Sequence, residues 1–293
     1  MPHNFFSGFA ALDWSGAVGS RQPGIAVATC GLGEEAPTLV RPGRRWSRDE
    51  ALAWTLEAAA SGPWLIGFDL SPALPFQDRG AYFPGWPGSP PDARGLWRSV
   101  DELCAEEPNL SASRLPDHPD LARHYRRQGG RLGDLFGVGR GRLRVVEQVA
   151  LADPGLPNPY SSFNLVGAAQ VGKASLTGMR LYRRLDGQVP LWPFDPESSA
   201  GSVVVEIYTS VAARAAGGRL GRSKLRDAAA LDAALAALGS RAHRALPDYN
   251  DHATDALLSA AWLRRVADEP GLWSPARLTP EIARTEGWTF GVP

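Results

Sequence analysis

Lysine is almost missing from this chain of 293 residues: Lys173 and Lys224 are the only two, and every other basic side chain apart from histidine is arginine. Cysteine is equally scarce. Cys30 and Cys104 stand far apart and match no metal-ligand spacing, which excludes a disulfide scaffold or a zinc-finger framework and predicts a reduced, cytoplasmic setting. A net charge is also lacking, since the formal charge is zero at neutral pH. A protein that grips a long duplex non-specifically carries a basic excess, so any nucleic-acid partner must be held by local charge. No apolar run approaches the roughly 18 residues of a membrane span. The start, MPHNFFSGFAALDW, has no basic segment leading into a long apolar core, so the expectation is a soluble chain with no membrane partner. The arginine bias suits bidentate phosphate contacts, and it also follows from genome base content alone.

What is present is a set of acids placed inside apolar elements. Gly8 to Gly31 reads as a hairpin, two short apolar runs joined by a Gly/Ser/Arg/Pro turn. Strand alternation puts Phe9, Ala11 and Asp13 on one face, so an acid takes a place where a half-buried strand carries an apolar side chain. Asp13 is either a turn cap or a ligand for a cation beside the small-residue turn Ser15-Gly16. A third strand follows around residues 37–46, and Ser47 with Glu50 makes a capping box for a helix from Arg48 to about Ala60. Residues 64–68, WLIGF, form a run suited to a central strand, and it ends on Asp69. A later strand, GSVVVEIY over 201–208, carries Glu206 on the face opposite Val203, Val205 and Ile207. The last long helix, Asn250 to about Ala267, holds His252 and Asp255. At about 100° per residue, Leu258, Trp262 and Val266 lie within roughly 60° of Asp255, which centres that acid on the apolar stripe. A buried carboxylate needs a cation or hydrogen bonds, so Asp255 either pairs with a buried arginine or shares a divalent ion with the other acids.

Between these core elements the regular pattern breaks up, with a Pro- and Gly-rich stretch that Trp86 and Trp97 are expected to pin down. Residues 114–144 hold eight arginines against Asp117, Asp120 and Asp134, the most basic region of the chain. It reads either as a solvated surface or as a phosphate contact through some of Arg123, Arg126, Arg127, Arg140 and Arg142. Gly167 to Ala174, GAAQVGKA, nearly fits a nucleotide-binding P-loop, but Ala174 removes the hydroxyl that would bind Mg2+. Lys173 and Ser175 then read as substrate-phosphate contacts, or the stretch is a helix with Val171, Leu176 and Met179 packed inward.

Asp13, Asp69, Glu206 and the His252-x-x-Asp255-Ala helix together resemble the RNase H-like superfamily, and the helix is particularly similar to that of RuvC-type Holliday-junction resolvases. More closely, LDWSG, IGFDLSPALPF, VVVEIYTS and HATDALLSAAW resemble the family called domain of unknown function 429, described as a predicted RNase H-like nuclease. The resemblance implies an α/β fold with a mixed five-stranded sheet flanked by helices. It covers a core of about 7–76 and 201–268 within a single domain spanning 1–293, with a large insertion of about 77–200 between the fourth and fifth strands. It implies a metal-dependent nuclease in which Asp13, Asp69, Asp255 and Glu206 hold Mg2+ or Mn2+, with two ions about 4 Å apart. His252 would carry a proton and nucleic acid, DNA or RNA, would be the partner, with Lys173, Ser175, Arg126, Arg127, Arg140 and Arg142 touching the substrate. Two other readings stand beside it. One is an actin-like or sugar-kinase-type phosphotransferase, which also begins with an acid in strand one but needs a second acid-bearing hairpin that this chain lacks. The other is a non-catalytic nucleic-acid-binding protein of the same fold.

Overall fold

The computed structural model describes residues 6–167, 170–195, 201–218 and 225–293. Six strands form one mixed sheet: β1 (Gly8–Asp13), β2 (Ala26–Cys30), β3 (Thr38–Leu39), β4 (Trp64–Asp69), β5 (Leu191–Trp192) and β6 (Val203–Glu206), in the spatial order β3-β2-β1-β4-β6-β5. The first three are antiparallel neighbours, while β4 lies parallel to β1, and β6 lies parallel to β4 and to β5. The sheet therefore has one strand more than the five expected. The addition is β5, a two-residue edge strand too short to show any alternation.

The hairpin forms because Phe9 to Asp13 pair antiparallel with Ala26 to Cys30. Ser47 then starts α1 (Arg48–Ser61) with the expected capping box: Ser47 Oγ accepts from the Glu50 N–H at 3.0 Å and Glu50 Oε2 accepts from the Ser47 N–H at 2.9 Å. Gly67 lets the opposite layer close on β4, since a Cβ there would stand 2.9 Å from Ile207 and from Leu263.

Alternation divides the core into two. Ala10, Leu12, Ile66, Phe68 and Val204 belong to one cluster with residues of α1, α2 (Ala93–Leu103) and α4 (Val171–Leu185). Ala11, Leu65, Val203 and Val205 belong to the other, with α5 (Thr209–Ala215), α6 (Ala228–Ala237) and α7 (Asp251–Val266). The insertion thus contributes helices to the core. Trp97 is fully buried and donates from Nε1 to the Pro72 carbonyl at 2.6 Å, and Trp86 is half-buried. Between α2 and α4 lies α3 (Val145–Ala152), and the chain closes with α8 (Pro270–Trp273) and α9 (Pro280–Thr285). Just past α9, the buried Glu286 carboxylate accepts from the backbone N–H groups of Phe76, Gln77 and Val145 at 2.5, 2.8 and 2.6 Å, tying the chain at 76–77 and at 145 to the C-terminal region. Among the described residues, no helix is long and apolar enough to cross a membrane.

Candidate functional site

β1 and β4 run in register from Gly8 opposite Trp64 to Asp13 opposite Asp69, so two neighbouring parallel strands end side by side on carboxylates that share a face. α7 packs over that face against β1 and β2. Its start is fixed by Asn250, whose side chain accepts from the Ala253 N–H at 3.0 Å. His252 and Asp255, three residues apart, then lie on one side of the helix. His252 Nδ1 is 2.7 Å from Asp13 Oδ2. Gly24 gives the ring its space, since a Cβ there would lie 3.2 Å from His252 Cε1.

The electrostatics show how tightly these charges crowd. Burial, followed by the charge of Asp13, pushes the Asp69 carboxyl up to about 8; Asp255 adds to the repulsion, and hydrogen bonds from Thr209 oppose it. One of these is the Thr209 hydroxyl, which donates to Asp69 Oδ2 at 2.8 Å. Asp13 is raised by burial despite the hydrogen bond and charge of His252. His252 is itself raised, first by its hydrogen bond to Asp13, then against burial by the charges of Asp13, Asp255 and Asp251. Asp251 turns to Arg226, 2.9 Å away.

Asp13, Asp69 and His252 are therefore brought together, and Asp255 acts on Asp69 and His252 through its charge. Their chemistry suits a hard divalent cation: the donors are carboxylate oxygens, and the strongest charges on Asp69 are two other carboxylates. Among the described residues, however, no three His, Cys, Asp or Glu side chains are grouped closely enough to grip an ion as they stand.

Glu206 does not join them. It is paired in register with Phe68, so alternation turns it to the opposite face of the sheet from Asp69. There its carboxylate is buried and takes two bonds from Arg144, Nη1 to Oε2 at 2.9 Å and Nη2 to Oε1 at 2.5 Å, and a third from the Thr289 hydroxyl at 2.7 Å. An arginine already neutralises it, so the expectation of Glu206 as a ligand is corrected.

Most of the expected substrate contacts are likewise engaged within the fold. Arg142 is buried, bonded to Asp78 at 2.6 and 2.8 Å and to the carbonyls of Pro75, Ala81 and Tyr82. Ser175 is buried and donates to the Val171 carbonyl at 3.1 Å. Neither is open to a substrate. Arg127 pairs with Asp117 at 2.8 Å, and Arg123 pairs with Asp134 through two nitrogens. Arg140 donates to the Pro159 carbonyl at 3.1 Å and lies over the Tyr160 ring. Arg126 is exposed, its backbone bridged to Leu132 and Asn164.

Lys173 is half-buried in the first turn of α4, and its backbone rests against Gly16 of the hairpin turn. The P-loop-like stretch is no phosphate loop in its described part. The helix has already begun at Val171, and the Gly172 N–H is spent on the Asn164 carbonyl at 3.0 Å; residues 168–169 lie outside the described residues, as does Lys224. Leu176 and Met179 pack inward as a helix requires, whereas Val171 is exposed. Thr209 is the site residue the sequence did not single out. Its only signal is a hydroxyl opening the helix that follows an acid-bearing strand.

No protein-family model, curated protein or solved structure matches the chain.

Proposed function

We propose that the chain is a metal-dependent phosphodiesterase of RNase H-like fold acting on nucleic acid, with Asp13, Asp69 and Asp255 as the residues that would hold Mg2+ or Mn2+. The observation that carries this reading is the in-register pair Asp13 and Asp69, whose burial together with mutual repulsion raises the Asp69 carboxyl to about 8. A cation would relieve that crowding. The sheet supports the fold: with the short edge strand β5 set aside, the order β3-β2-β1-β4-β6 has an antiparallel hairpin unit followed by two parallel strands, with helices on both faces. The four motifs that resemble the domain of unknown function 429 family support the same reading, because two of their acids, Asp13 and Asp69, end neighbouring strands in register and the charge of a third, Asp255, acts on Asp69.

A divalent ion in such a site supplies Lewis-acid stabilisation of the charge that builds on a phosphoryl group. The chain's own residues do the rest. Asp13 holds His252 through Nδ1, which orients the ring and leaves Nε2 to take or give a proton to the substrate. Thr209 holds the Asp69 carboxylate in place, as an outer hydrogen bond does for a ligand.

The test is hydrolysis of bis(p-nitrophenyl) phosphate and of labelled DNA and RNA oligonucleotides in EDTA, Mg2+ and Mn2+. Expected is cleavage that requires the metal and falls to background in Asp13→Asn. Equal rates in EDTA and Mn2+, or an Asp13→Asn variant as active as the parent, overturns the reading.

A further inference from the structure

A cleft of about 330 Å³ is lined by Asn250 and His252 of the start of α7 and by Val40, Arg41, Arg44 and Arg45. The arginines sit on a tight turn that follows β3. The Arg44 N–H donates to the Arg41 carbonyl at 3.2 Å, with Pro42 and Gly43 between them and Gly43 at φ +77, the proline-then-glycine arrangement of a type II turn. Arg41 itself takes φ +54, a conformation that a residue with a side chain adopts rarely. Both ends of the turn are fixed. The Val40 N–H donates to the Val27 carbonyl at 2.8 Å and the Trp46 carbonyl accepts from Gln22 at 2.7 Å. Trp46 is buried, and the Arg41 guanidinium lies over its ring at 4.7 Å.

This turn differs from the arginines of the insertion. Many of those pair with carboxylates, as Arg123 does with Asp134 and Arg142 with Asp78, and another basic cleft, about 270 Å³ around Lys173, has Asp117 set 2.8 Å from Arg127 and 3.7 Å from Arg131. Arg44 and Arg45 are exposed, and among the described residues neither has a carboxylate within ion-pair distance. In a chain of zero net charge, two such guanidiniums in a cleft that reaches His252, itself bonded to Asp13, are a localised positive edge that a polyanion would meet first. The cleft is also lined by Asp248, which accepts from Asn250 Nδ2 at 3.0 Å.

We propose that the turn from Arg41 to Arg45 is a phosphate subsite that holds the sugar–phosphate backbone of a nucleic-acid strand while the neighbouring phosphodiester lies at the carboxylates. It rests on the proposed function for its substrate class. The contact is to backbone and does not read sequence. Guanidinium forks match phosphate oxygens, and Trp46, the aromatic residue of this cleft, is covered by Arg41 and gives no face for a base to stack on.

The experiment is binding, separated from cleavage. Wild type, Arg44→Gln/Arg45→Gln and a charge-matched control, Arg98→Gln/Arg277→Gln, are titrated in EDTA with a fluorescein-labelled oligonucleotide of mixed sequence, single-stranded and duplex, over a range of salt. Both control arginines are exposed and lie outside the cleft. Loss of two phosphate contacts should flatten the slope of log K against log salt by about 1.4 for the single strand or about 1.8 for the duplex. The control should keep the wild-type slope, and a second oligonucleotide of different sequence should give the same result. An unchanged slope in the cleft variant, an equal loss in the control, or no binding by wild type overturns the subsite. Binding that behaves as expected, with no hydrolysis in any metal, leaves the subsite standing and removes the nuclease reading. Hydrolysis in Mn2+ with an unchanged slope does the reverse.

Discussion

Glu206 and Asp69 are acids at the ends of neighbouring strands, and one step of register sends them to different chemistry. Glu206 lies opposite Phe68 on the far face, where Arg144 and Thr289 satisfy it, while Asp69 lies opposite Asp13 with other carboxylates as its strongest charges. A buried charge whose partner is removed is costly, because the partner's charge is stranded out of water. Glu206→Gln should therefore destabilise the fold by about 3 kcal/mol, the lower end for a broken buried pair, since Glu147 still faces Arg144 from 3.0 Å. Urea unfolding measures this, and the response of the variant to Mn2+ should match that of wild type. A variant of normal stability that had lost its metal response would restore Glu206 as a ligand. The sequence shows an acid in an apolar strand equally well at both positions. It does not show which has an arginine beside it, because Arg144 lies 62 residues from Glu206 along the chain.

At the scale of elements, legibility follows from how local the determining interactions are. The Ser47–Glu50 box, the pairing of β1 with β2, the acid-terminated β4 and the extent of α7 all depend on neighbouring residues or on simple periodicity, and all are readable; the phase of α7 is not, because residues all round the helix from Ala253 to Leu263 are buried while Asp255 is half-buried. The insertion was not, because its order comes from long-range ties such as Arg142 to Asp78 and Glu286 to the backbone at Phe76. Its basic run reads equally as a solvated surface or a phosphate contact for the same reason: Asp117 and Asp134 lie ten and eleven residues from the arginines they neutralise. The contact between hairpin and insertion is equally non-local. Gly16 packs so closely on α4 that a Cβ would stand 2.1 Å from the Lys173 carbonyl carbon and 2.3 Å from its oxygen. Those are backbone atoms and cannot rotate away, so Gly16→Ala should cost about 1–3 kcal/mol, as overpacking does. Gly271→Ala, where nothing lies within 4 Å of the added atom, is the matched control. Chemical denaturation of the pair checks it, and a neutral Gly16→Ala would mean that the turn after Asp13 does not rest on α4.

For the whole molecule, protons and divalent cations should compete for one site, and the sign of the pH dependence exposes it. Asp69 is raised to about 8 from an ordinary 3.8. Between those values the folded chain keeps a proton that the unfolded chain releases, so this group's contribution to stability falls as pH rises from about 4 to about 8. His124 works against it. Burial lowers that imidazole to about 4 from 6.5, so its contribution rises with pH over that interval, and the summed curve of wild type mixes these two with the raised Asp13 and His252. Comparison with Asp69→Asn isolates the carboxyl: in EDTA the variant should gain on wild type steadily as pH rises and be the more stable protein at pH 8. Mn2+ at about 100 times its dissociation constant adds roughly 2.7 kcal/mol to whatever binds it only when folded, several degrees of melting temperature for a chain of this size. The shift should be larger at pH 8 than at pH 6, where the metal must first displace a proton, and most of it should be lost in Asp69→Asn. Melting both proteins in EDTA and in Mn2+ at the two pH values is decisive. A variant that is less stable than wild type in EDTA at pH 8, or that responds to Mn2+ as wild type does, removes Asp69 from the metal site.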